Sequence, residues 1–332
     1  MAVEKVEGHL LCKKILMLAS ACGLGVFALH GATCVWTGGS GSWTDSANWL
    51  DGAVPSAGDT VYVSNTVANV TIDIDVPGVS IASIRFEGQS AVTLTGNPLT
   101  LTGGWSFKAY VPKGTNLMDY RISTFSWLAY GANVECRVPL VFAPSGNSCG
   151  VCTATNIVHF REKVTILGSG KTFYLHNGLQ PTPEDIAAGA PPSGSVTVPV
   201  YFHKEVVGES TTLRPSQAPV GEAHFYDAVR VATLHDAGWH SCIMRLYSPS
   251  NSWNEMLVDY GNIIYPQTQG AIPPNTVLRL HGGTSPSSNG IFNLGNFDVT
   301  IERIDDSDDG IKQYATATKG GIVNSAQNEV GT

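Results

Sequence analysis

Short segments of the chain alternate between apolar and polar residues, which is the pattern of a β-strand with one buried side. The clearest alternation runs from residue 70 to residue 76. Its apolar side consists of Ile72, Ile74 and Val76, and its polar side of Thr71, Asp73 and Asp75. Further strand-like runs lie at 81–86, 91–95, 99–102, 257–260, 263–265, 277–280, 291–294 and 297–304. Long amphipathic helical runs are nearly absent, so the pattern predicts an all-β protein.

Three similar segments predict that such strands repeat. Their sequences are VHFREKV (158–164), VYFHKEV (200–206) and AHFYDAV (223–229), and each places a phenylalanine four residues before a valine. The phenylalanines are Phe160, Phe202 and Phe225, which are 42 and 23 residues apart. The smaller spacing is typical of one rung of a β-solenoid. The larger spacing fits either an extra strand layer or an insertion between two rungs.

A candidate insertion lies between the first two of these segments. Residues 180–194 are rich in proline, glycine and alanine. Within them, Thr182–Gly189 predicts one short helix, with Thr182 as its N-cap, Pro183 in its first turn and Gly189 at its end. The aromatic-rich stretch 105–152 predicts an excursion that packs against the strands or serves as a binding surface.

The predicted fold is therefore a right-handed parallel β-helix, or β-solenoid, with a cap at its N-terminal end. A β-sandwich has the same pattern of short strands and is the alternative. A solenoid would stack Phe160, Phe202 and Phe225, whereas a sandwich would place them on unrelated strands. The parts predicted after the N-terminal segment are the cap with the first rungs (33–104), the solenoid with loop insertions (105–304) and a flexible acidic and polar tail (305–332).

Residues 1–32 have the pattern of a secretory signal peptide. Lys13 and Lys14 precede an apolar run from Ile15 to Leu29, and small residues follow it. The run is shorter than the roughly 20 residues that span a membrane, so it predicts cleavage and export rather than anchoring. We expect the mature chain to have no transmembrane segment and to be secreted or held at the cell surface.

The predicted cap begins with a tryptophan-rich motif. Residues 35–63 read VWTGGSGSWTDSANWLDGAVPSAGDTVYV. This motif resembles the opening module of bacterial proteins that carry autotransporter-associated β-strand repeats, over about residues 35–104. The resemblance implies a parallel β-helix displayed at the cell surface or released from it. The chain departs from that family because it has no long array of Gly-Gly-Thr repeats and no evident translocator strands, so autotransport does not follow.

Trp36, Trp43 and Trp49 of this motif allow two interpretations. Large apolar rings on a Gly- and Ser-rich segment would cover the open end of a strand stack, which would otherwise pair with other strands. The alternative is a platform on which sugar rings stack. We favour the cap because the end of a solenoid must be covered.

Composition limits the possible partners. Charged residues make up 14% of the chain and the formal net charge is −8, whereas nucleic-acid binding needs clustered Lys and Arg. The sequence therefore predicts no nucleic-acid partner. Among the seven cysteines, Cys149 and Cys152 form a CxxC pair. With no second CxxC and no suitably spaced histidine, we expect a local disulfide or free buried thiols rather than a zinc or redox site.

Three clusters of polar residues are candidates for a chemical site. The first is Asp305, Ser307 and Asp309, whose oxygens alternate before a glycine as at the start of a calcium loop. The twelfth position of such a loop, counted from Asp305, would be Glu in a calcium site, but it is Thr316 here. This favours a solvated acidic turn over a calcium site. The other two clusters are the carboxylates of Asp73 and Asp75 and the group of His235, Asp236 and His240. Both lack the neighbouring residues that a lyase base or a helical metal site would need.

The favoured function is an exported structural or adhesive cell-surface protein without catalysis, whose partners would be glycans or other surface proteins. The alternative is a secreted carbohydrate-binding module or a polysaccharide-degrading enzyme on the same fold. The sequence identifies no catalytic or cofactor-binding residues, and calcium is the one metal it suggests. Carboxylates and basic residues clustered in a groove would favour an enzyme, and exposed coplanar aromatic rings would favour glycan binding.

Overall fold

The structure is a computed structural model of the chain. It describes residues 31–64, 69–86, 91–104, 111–113, 117–119, 126–129, 133–153, 157–177, 198–216, 221–236, 242–258, 263–280, 291–294, 297–305 and 321–323. Residues 1–30 of the predicted signal peptide and the predicted helix Thr182–Gly189 lie outside this part. Within it, the chain is all-β and forms a parallel β-solenoid, as predicted. None of the helices in this part is long and apolar enough to cross a membrane.

The strands are short. In the first half of the chain they are β1 (Thr33–Trp36), β2 (Gly41–Ser42), β3 (Thr60–Val63), β4 (Val70–Ile74), β5 (Val79–Ile81), β6 (Ser83–Phe86), β7 (Val92–Gly96), β8 (Leu99–Leu101), β9 (Val111–Lys113), β10 (Leu117–Asp119), β11 (Trp127–Ala129), β12 (Val134–Cys136), β13 (Leu140–Phe142) and β14 (Ser148–Thr153). Two 3-10 helices, Ser46–Asn48 and Leu50–Gly52, lie between β2 and β3.

The second half continues in the same way. Its strands are β15 (Val158–Phe160), β16 (Val164–Ile166), β17 (Lys171–Asn177), β18 (Val198–Phe202), β19 (Val206–Ser216), β20 (Gly221–Phe225), β21 (Val229–Asp236), β22 (Cys242–Leu246), β23 (Glu255–Val258), β24 (Ile263–Pro266), β25 (Val277–Leu280), β26 (Ile291–Asn293), β27 (Arg303–Asp305) and β28 (Gly321–Val323).

The strands line three faces of the solenoid. The first face carries β1-β3-β6-β11-β14-β17, and the third carries β5-β8-β13-β16. The second face is an 11-stranded sheet, β2-β4-β7-β12-β15-β18-β20-β22-β24-β26-β28. The long strand β19 joins the other two faces, because its start pairs with β16 and its later residues pair with β17. Only β9 and β10 pair in antiparallel fashion among the described strands.

Alternation along each strand fills the interior with apolar side chains. In β4, Val70, Ile72 and Ile74 are buried, as the pattern predicts. The prediction that Val76 shares their side is wrong, because the strand ends at Ile74 and Val76 is 37% exposed. The predicted strand 81–86 is divided at Ala82, where the chain leaves the third face and enters the first. Of the predicted strand 297–304, only the end lies in β27.

The three phenylalanine segments lie on consecutive strands of the second face. Phe160 of β15 is in register with Phe202 of β18, and Phe202 with Phe225 of β20. The predicted stack is therefore confirmed, and the sandwich alternative is wrong. Since β15 pairs directly with β18, the longer spacing reflects an insertion within one turn rather than an extra strand layer.

A cluster of tryptophans closes the first turn. The rings of Trp36 and Trp49 meet edge to face with centroids 5.0 Å apart, and those of Trp43 and Trp49 do so at 4.9 Å. All three side chains are buried, and Trp49 Nε1 donates to the Trp43 carbonyl oxygen at 2.7 Å. Asn48 packs so closely beneath this turn that a Cβ at Gly41 would lie 2.5 Å from its Nδ2. The close packing of Asn48 therefore explains why the motif has a glycine at position 41.

Asp59 ties the start of β1 to the next turn. Its side chain is buried and accepts from the Ala32 backbone N–H at 2.6 Å and from the Ser56 N–H and hydroxyl, both at 2.8 Å. Burial opposes ionisation, but these donors outweigh it and lower the pKa of Asp59. The Gly-Asp-Thr part of the motif therefore holds two turns together.

Candidate functional site

The second face carries two columns of polar ring side chains outside the phenylalanine stack. In-register parallel pairing places His159 of β15, Tyr201 of β18 and His224 of β20 directly above one another. Successive side chains on a strand point to opposite sides, so these three point outward while their phenylalanine neighbours point inward. Inside, the rings of Phe160, Phe202 and Phe225 stack with centroids 5.0 and 4.9 Å apart.

The second column consists of the residues that directly follow three strands of this face. They are His203 after β18, Tyr226 after β20 and Tyr247 after β22. Their backbone N–H groups continue the ladder: His203 donates to the Phe160 carbonyl oxygen, Tyr226 to that of Phe202 and Tyr247 to that of Phe225, at 2.9–3.0 Å. These bonds hold the residues in register beyond the strand ends. We call the resulting surface the tyrosine–histidine face, which comprises His159, Tyr201, His203, His224, Tyr226 and Tyr247.

Ring contacts run through both columns. His159 stacks on Tyr201 at 4.6 Å with an interplanar angle of 9°, and Tyr201 meets His224 at 4.7 Å. In the second column, His203 stacks on Tyr226 at 5.1 Å, and Tyr226 meets Tyr247 at 4.7 Å. Tyr226 is 42% exposed, whereas His224 is only 9% exposed.

This stacking decides which ring atoms meet solvent. Rungs repeat at about 4.8 Å, the spacing at which parallel rings cover one another's faces. The rings are therefore stacked rather than coplanar, and the exposed ones present their edges outward, whereas His224 Nε2 is buried. The face offers hydrogen-bond donors and acceptors at rung spacing more than open ring faces for a sugar to lie on.

Ion pairs flank the rings. Glu222 of β20 pairs with Arg245 of β22, and its Oε2 lies 3.3 Å from His224 Nε2. These contacts, with the His224 hydrogen bond foremost and Arg245 next, lower the pKa of Glu222 to about 2. His224 Nδ1 lies 3.2 Å from the Tyr247 hydroxyl, so the rung from β20 is tied to the following one.

A second charged group lies at the opposite end of the face. Glu135 of β12 accepts from Arg161 Nε at 2.7 Å and from Arg137 Nη2 at 2.9 Å, and its pKa is lowered by these two guanidinium groups. Arg161 Nη1 lies 3.0 Å from His203 Nε2, and His159 Nδ1 lies 3.1 Å from the same nitrogen. We call Glu135, Arg137, His159, Arg161 and His203 the arginine–histidine cluster.

Both imidazoles of this cluster favour the neutral form. Burial lowers the pKa of His203 to about 4, and the neighbouring Arg161 and His159 contribute to the shift. The pKa of His159 is also lowered, by burial first and then by Arg161. A guanidinium only donates hydrogen bonds, so His203 Nε2 accepts from Arg161 and is unprotonated in this arrangement.

Comparisons of the chain with protein-family models, with curated proteins and with solved structures find no match. The resemblance of the tryptophan motif to the autotransporter-associated family thus stays a prediction.

The tryptophans considered for sugar stacking are not available to a ligand. Trp36, Trp43 and Trp49 are 0%, 1% and 3% exposed, because they pack against one another in the core. Their burial is compatible with the predicted cap, which stays a prediction. Exposed rings lie on the second face, among them Tyr226, which is 42% exposed; the sequence pattern marks only the His and Phe positions of the three similar segments there.

The candidate metal ligands are not brought together among the residues that the structure describes. Asp305 lies at the end of β27 with Arg279 Nη2 3.9 Å away, while Ser307 and Asp309 are outside the described residues. His235 and Asp236 end β21, and His240 is outside as well. The described part contains no cluster of three or more His, Cys, Asp or Glu side chains that could hold a metal ion.

Asp73 and Asp75 bind neighbouring hydroxyl groups. Asp73 accepts from the Thr95 hydroxyl at 3.2 Å. Asp75 accepts from the Thr44 hydroxyl at 2.5 Å and from its backbone N–H at 3.1 Å, and these bonds lower the pKa of Asp75. They link successive turns of the solenoid rather than forming a paired acid and base.

The CxxC pair consists of free, buried thiols. Cys149 and Cys152 lie on β14, and both are 0% exposed. Three residues apart on a strand, their side chains point to opposite sides and cannot meet. Burial raises the pKa of Cys149 to about 12 and that of Cys152 well above its ordinary value. Such thiols react slowly, which is consistent with a structural role.

Proposed function

We propose that the protein is an exported, non-catalytic β-solenoid scaffold of the bacterial cell surface that adheres to polysaccharide through its tyrosine–histidine face. The rings of this face are stacked and not coplanar, so the predicted sign of glycan binding is not what carries the proposal; the in-register double column of ring edges along the second face carries it. Tyrosine gives a rigid contact surface with a polar tip at low entropic cost, which is why interfaces are enriched in it. An extended sugar chain presents hydroxyl groups periodically and matches such a surface.

The state of the carboxylates on this face supports a role without catalysis. Glu135 and Glu222 are ion-paired and have lowered pKa values, so each is ionised at neutral pH and is a weak proton donor. Glu205, between β18 and β19, pairs with Lys163 at 3.4 Å and Arg230 at 3.3 Å, and its pKa is lowered too. A glycoside hydrolase needs one carboxylic acid that keeps its proton.

Export is supported by the N-terminal pattern alone. The basic residues Lys13 and Lys14, the apolar run and the small residues after it are typical of a secretory signal. Adhesion by a β-solenoid scaffold at the cell surface would use such a signal, and the tryptophan motif resembles modules of surface proteins.

A binding panel tests the proposal. The full chain would be incubated with insoluble cellulose and chitin and with soluble dextran, and both depletion of the protein and release of new reducing ends would be measured. We expect depletion or complex formation with at least one of them and no new ends. Release of ends would contradict the non-catalytic role, and the absence of binding to all of them would contradict adhesion to these polysaccharides.

A further inference from the structure

The arginine–histidine cluster has an excess of positive charge that can grow. Arg137 and Arg161 share the single carboxylate of Glu135, so the cluster carries one net positive charge when both imidazoles are neutral. Each imidazole that takes up a proton adds one more. The Arg137 and Arg161 side chains are 56% and 39% exposed, so an anion in solvent can reach them.

The surroundings supply little compensation for that charge. Tyr201 and Tyr226, which stack on His159 and His203, are neutral. Among the other charged groups nearby, Glu222 is paired with Arg245 and His224, and Lys163 with Glu205. Glu162 and Lys204, which follow Arg161 and His203 in the chain, are exposed and carry opposite charges that cancel. Glu135 is therefore the one carboxylate that acts favourably on the two protonated imidazoles among the described groups around them.

Protonation and anion binding must then be linked. In the unliganded protein a proton on His203 faces Arg161 and His159 at 3.0–3.1 Å, which is unfavourable. An anion held by the guanidinium groups removes that penalty, because it supplies the missing negative charge. By linkage, a ligand that favours the protonated cluster binds more tightly as the pH falls.

We propose that the arginine–histidine cluster is an acid-activated site for the carboxylate or sulfate groups of an anionic polysaccharide. This rests on the proposed function, since the cluster forms one end of the tyrosine–histidine face. Neutral sugar units would contact the tyrosine edges, and the acidic substituent would lie against Arg137, Arg161, His159 and His203. Binding strengthens on acidification because one or two protons are taken up from the buffer with the anion.

The test compares polymers with the same backbone. Affinities of the full chain for carboxymethyl-dextran, dextran sulfate and unmodified dextran would be measured at pH 7.5 and pH 5.0. We expect binding of the two charged polymers to tighten about tenfold at the lower pH, as for one strongly linked proton, and dextran binding to stay constant. No tightening, or equal tightening with dextran, would overturn the site.

Histidine variants test whether the pH dependence of binding arises in the arginine–histidine cluster. The double variant His159→Gln/His203→Gln keeps polar side chains but cannot become charged there, so its affinity should no longer depend on pH. The matched control is His235→Gln, which changes a histidine of β21, outside this face, and should retain the pH dependence. A double variant that still tightens on acidification would overturn the assignment. Far-UV circular dichroism at pH 7.5 checks that each variant folds.

A measurement on the unaltered protein tests the proposal independently of whether the variants fold. Calorimetry at pH 5.5 in buffers of different ionisation enthalpy counts the protons taken up with carboxymethyl-dextran, and we expect net uptake. Binding without uptake would overturn the linkage. A protein that binds a neutral polysaccharide at pH 7.5 but shows no acid tightening would refute the site and leave the proposed function intact. Equal pH dependence with phosphatidylserine vesicles, without polysaccharide binding, would assign the cluster to lipid and refute the proposal.

Discussion

At the scale of single residues, a small number of polar side chains join successive turns of the solenoid. Asp59 and Glu222 each accept hydrogen bonds from a turn other than their own, and both are held ionised by those donors. The pattern of apolar residues predicted the interior of β4 correctly. It could not predict that the strand ends before Val76, because alternation alone does not mark where inter-strand hydrogen bonds stop.

Asp59→Asn should destabilise the protein. The amide places a donor where Asp59 Oδ2 now accepts from Ser56, and it removes the charge that the buried N–H groups require. We expect the free energy of unfolding to fall by about 2 kcal/mol at pH 7. Asp51→Asn is the control, because Asp51 is exposed and the change should stay within about 0.5 kcal/mol. Urea unfolding measures both, and equal stabilities would contradict the role of Asp59.

The pH dependence of Asp59 has a definite sign. Its pKa is lowered in the folded protein, so its contribution is present above the ordinary pKa of 3.8 and is lost as the pH falls further. The difference in stability between the parent protein and Asp59→Asn should therefore shrink below about pH 4.

His203 should make the protein less stable in mild acid. Its pKa is about 4 when folded and 6.5 ordinarily, so between these values the unfolded chain binds a proton that the folded protein does not. The free energy of unfolding then falls as the pH drops from about 6.5 to about 4. In His203→Gln this part of the slope should be smaller. Identical slopes in chemical denaturation at pH 7, 6 and 5 would contradict the depressed pKa.

At the scale of elements, the second face is built by repetition of one strand pattern. The sequence similarity identifies β15, β18 and β20 as repeats because each has a phenylalanine at the same inward position. It missed β22, whose Leu246 occupies the same inner position, so that the outer Arg245 and Tyr247 were not recognised. The interior accepts different apolar side chains of similar volume. Two rungs can therefore have the same backbone structure although their sequences are no longer recognisably similar.

The insertion between β15 and β18 is a second feature that the sequence alone could not establish. A spacing of 42 residues fits an extra layer or a loop, and only strand register distinguishes them. For the tryptophan motif, the need to cover a solenoid end predicts burial of the rings, and Trp36, Trp43 and Trp49 are buried; the cap role itself stays a prediction.

Phe202→Ala tests the inner stack. Phe202 is 1% exposed and lies between the rings of Phe160 and Phe225, so its removal leaves a cavity shared by three rungs. We expect a loss of about 3–5 kcal/mol in the free energy of unfolding. Tyr226→Ala, on the outer side of the next turn, should cost much less. Thermal and urea unfolding of both variants would reveal the contrast, and similar losses would argue against an inward Phe202.

At the scale of the whole molecule, the solenoid converts strand-level repetition into an extended surface. Only the second face stacks tyrosine and histidine edges in two adjacent columns, among the faces that the structure describes. The outer positions of the third face are instead small or β-branched over several rungs, including Thr100, Val141, Thr165 and Val207. This difference between faces is the reason to place the interaction surface on the second.

The most direct test of the account is a comparison of two tyrosine substitutions on different faces. Tyr226→Ala/Tyr247→Ala removes hydroxyl edges from the tyrosine–histidine face, and Tyr62→Ala removes an outward tyrosine that lies under Arg85 on the first face. Depletion from solution by cellulose, chitin and immobilised dextran would be measured at pH 7.5. We expect the double variant to bind at least about tenfold more weakly than the parent protein and Tyr62→Ala to bind within about twofold of it. Equal binding by all three proteins, or equal loss in both variants, would contradict a binding surface on the second face.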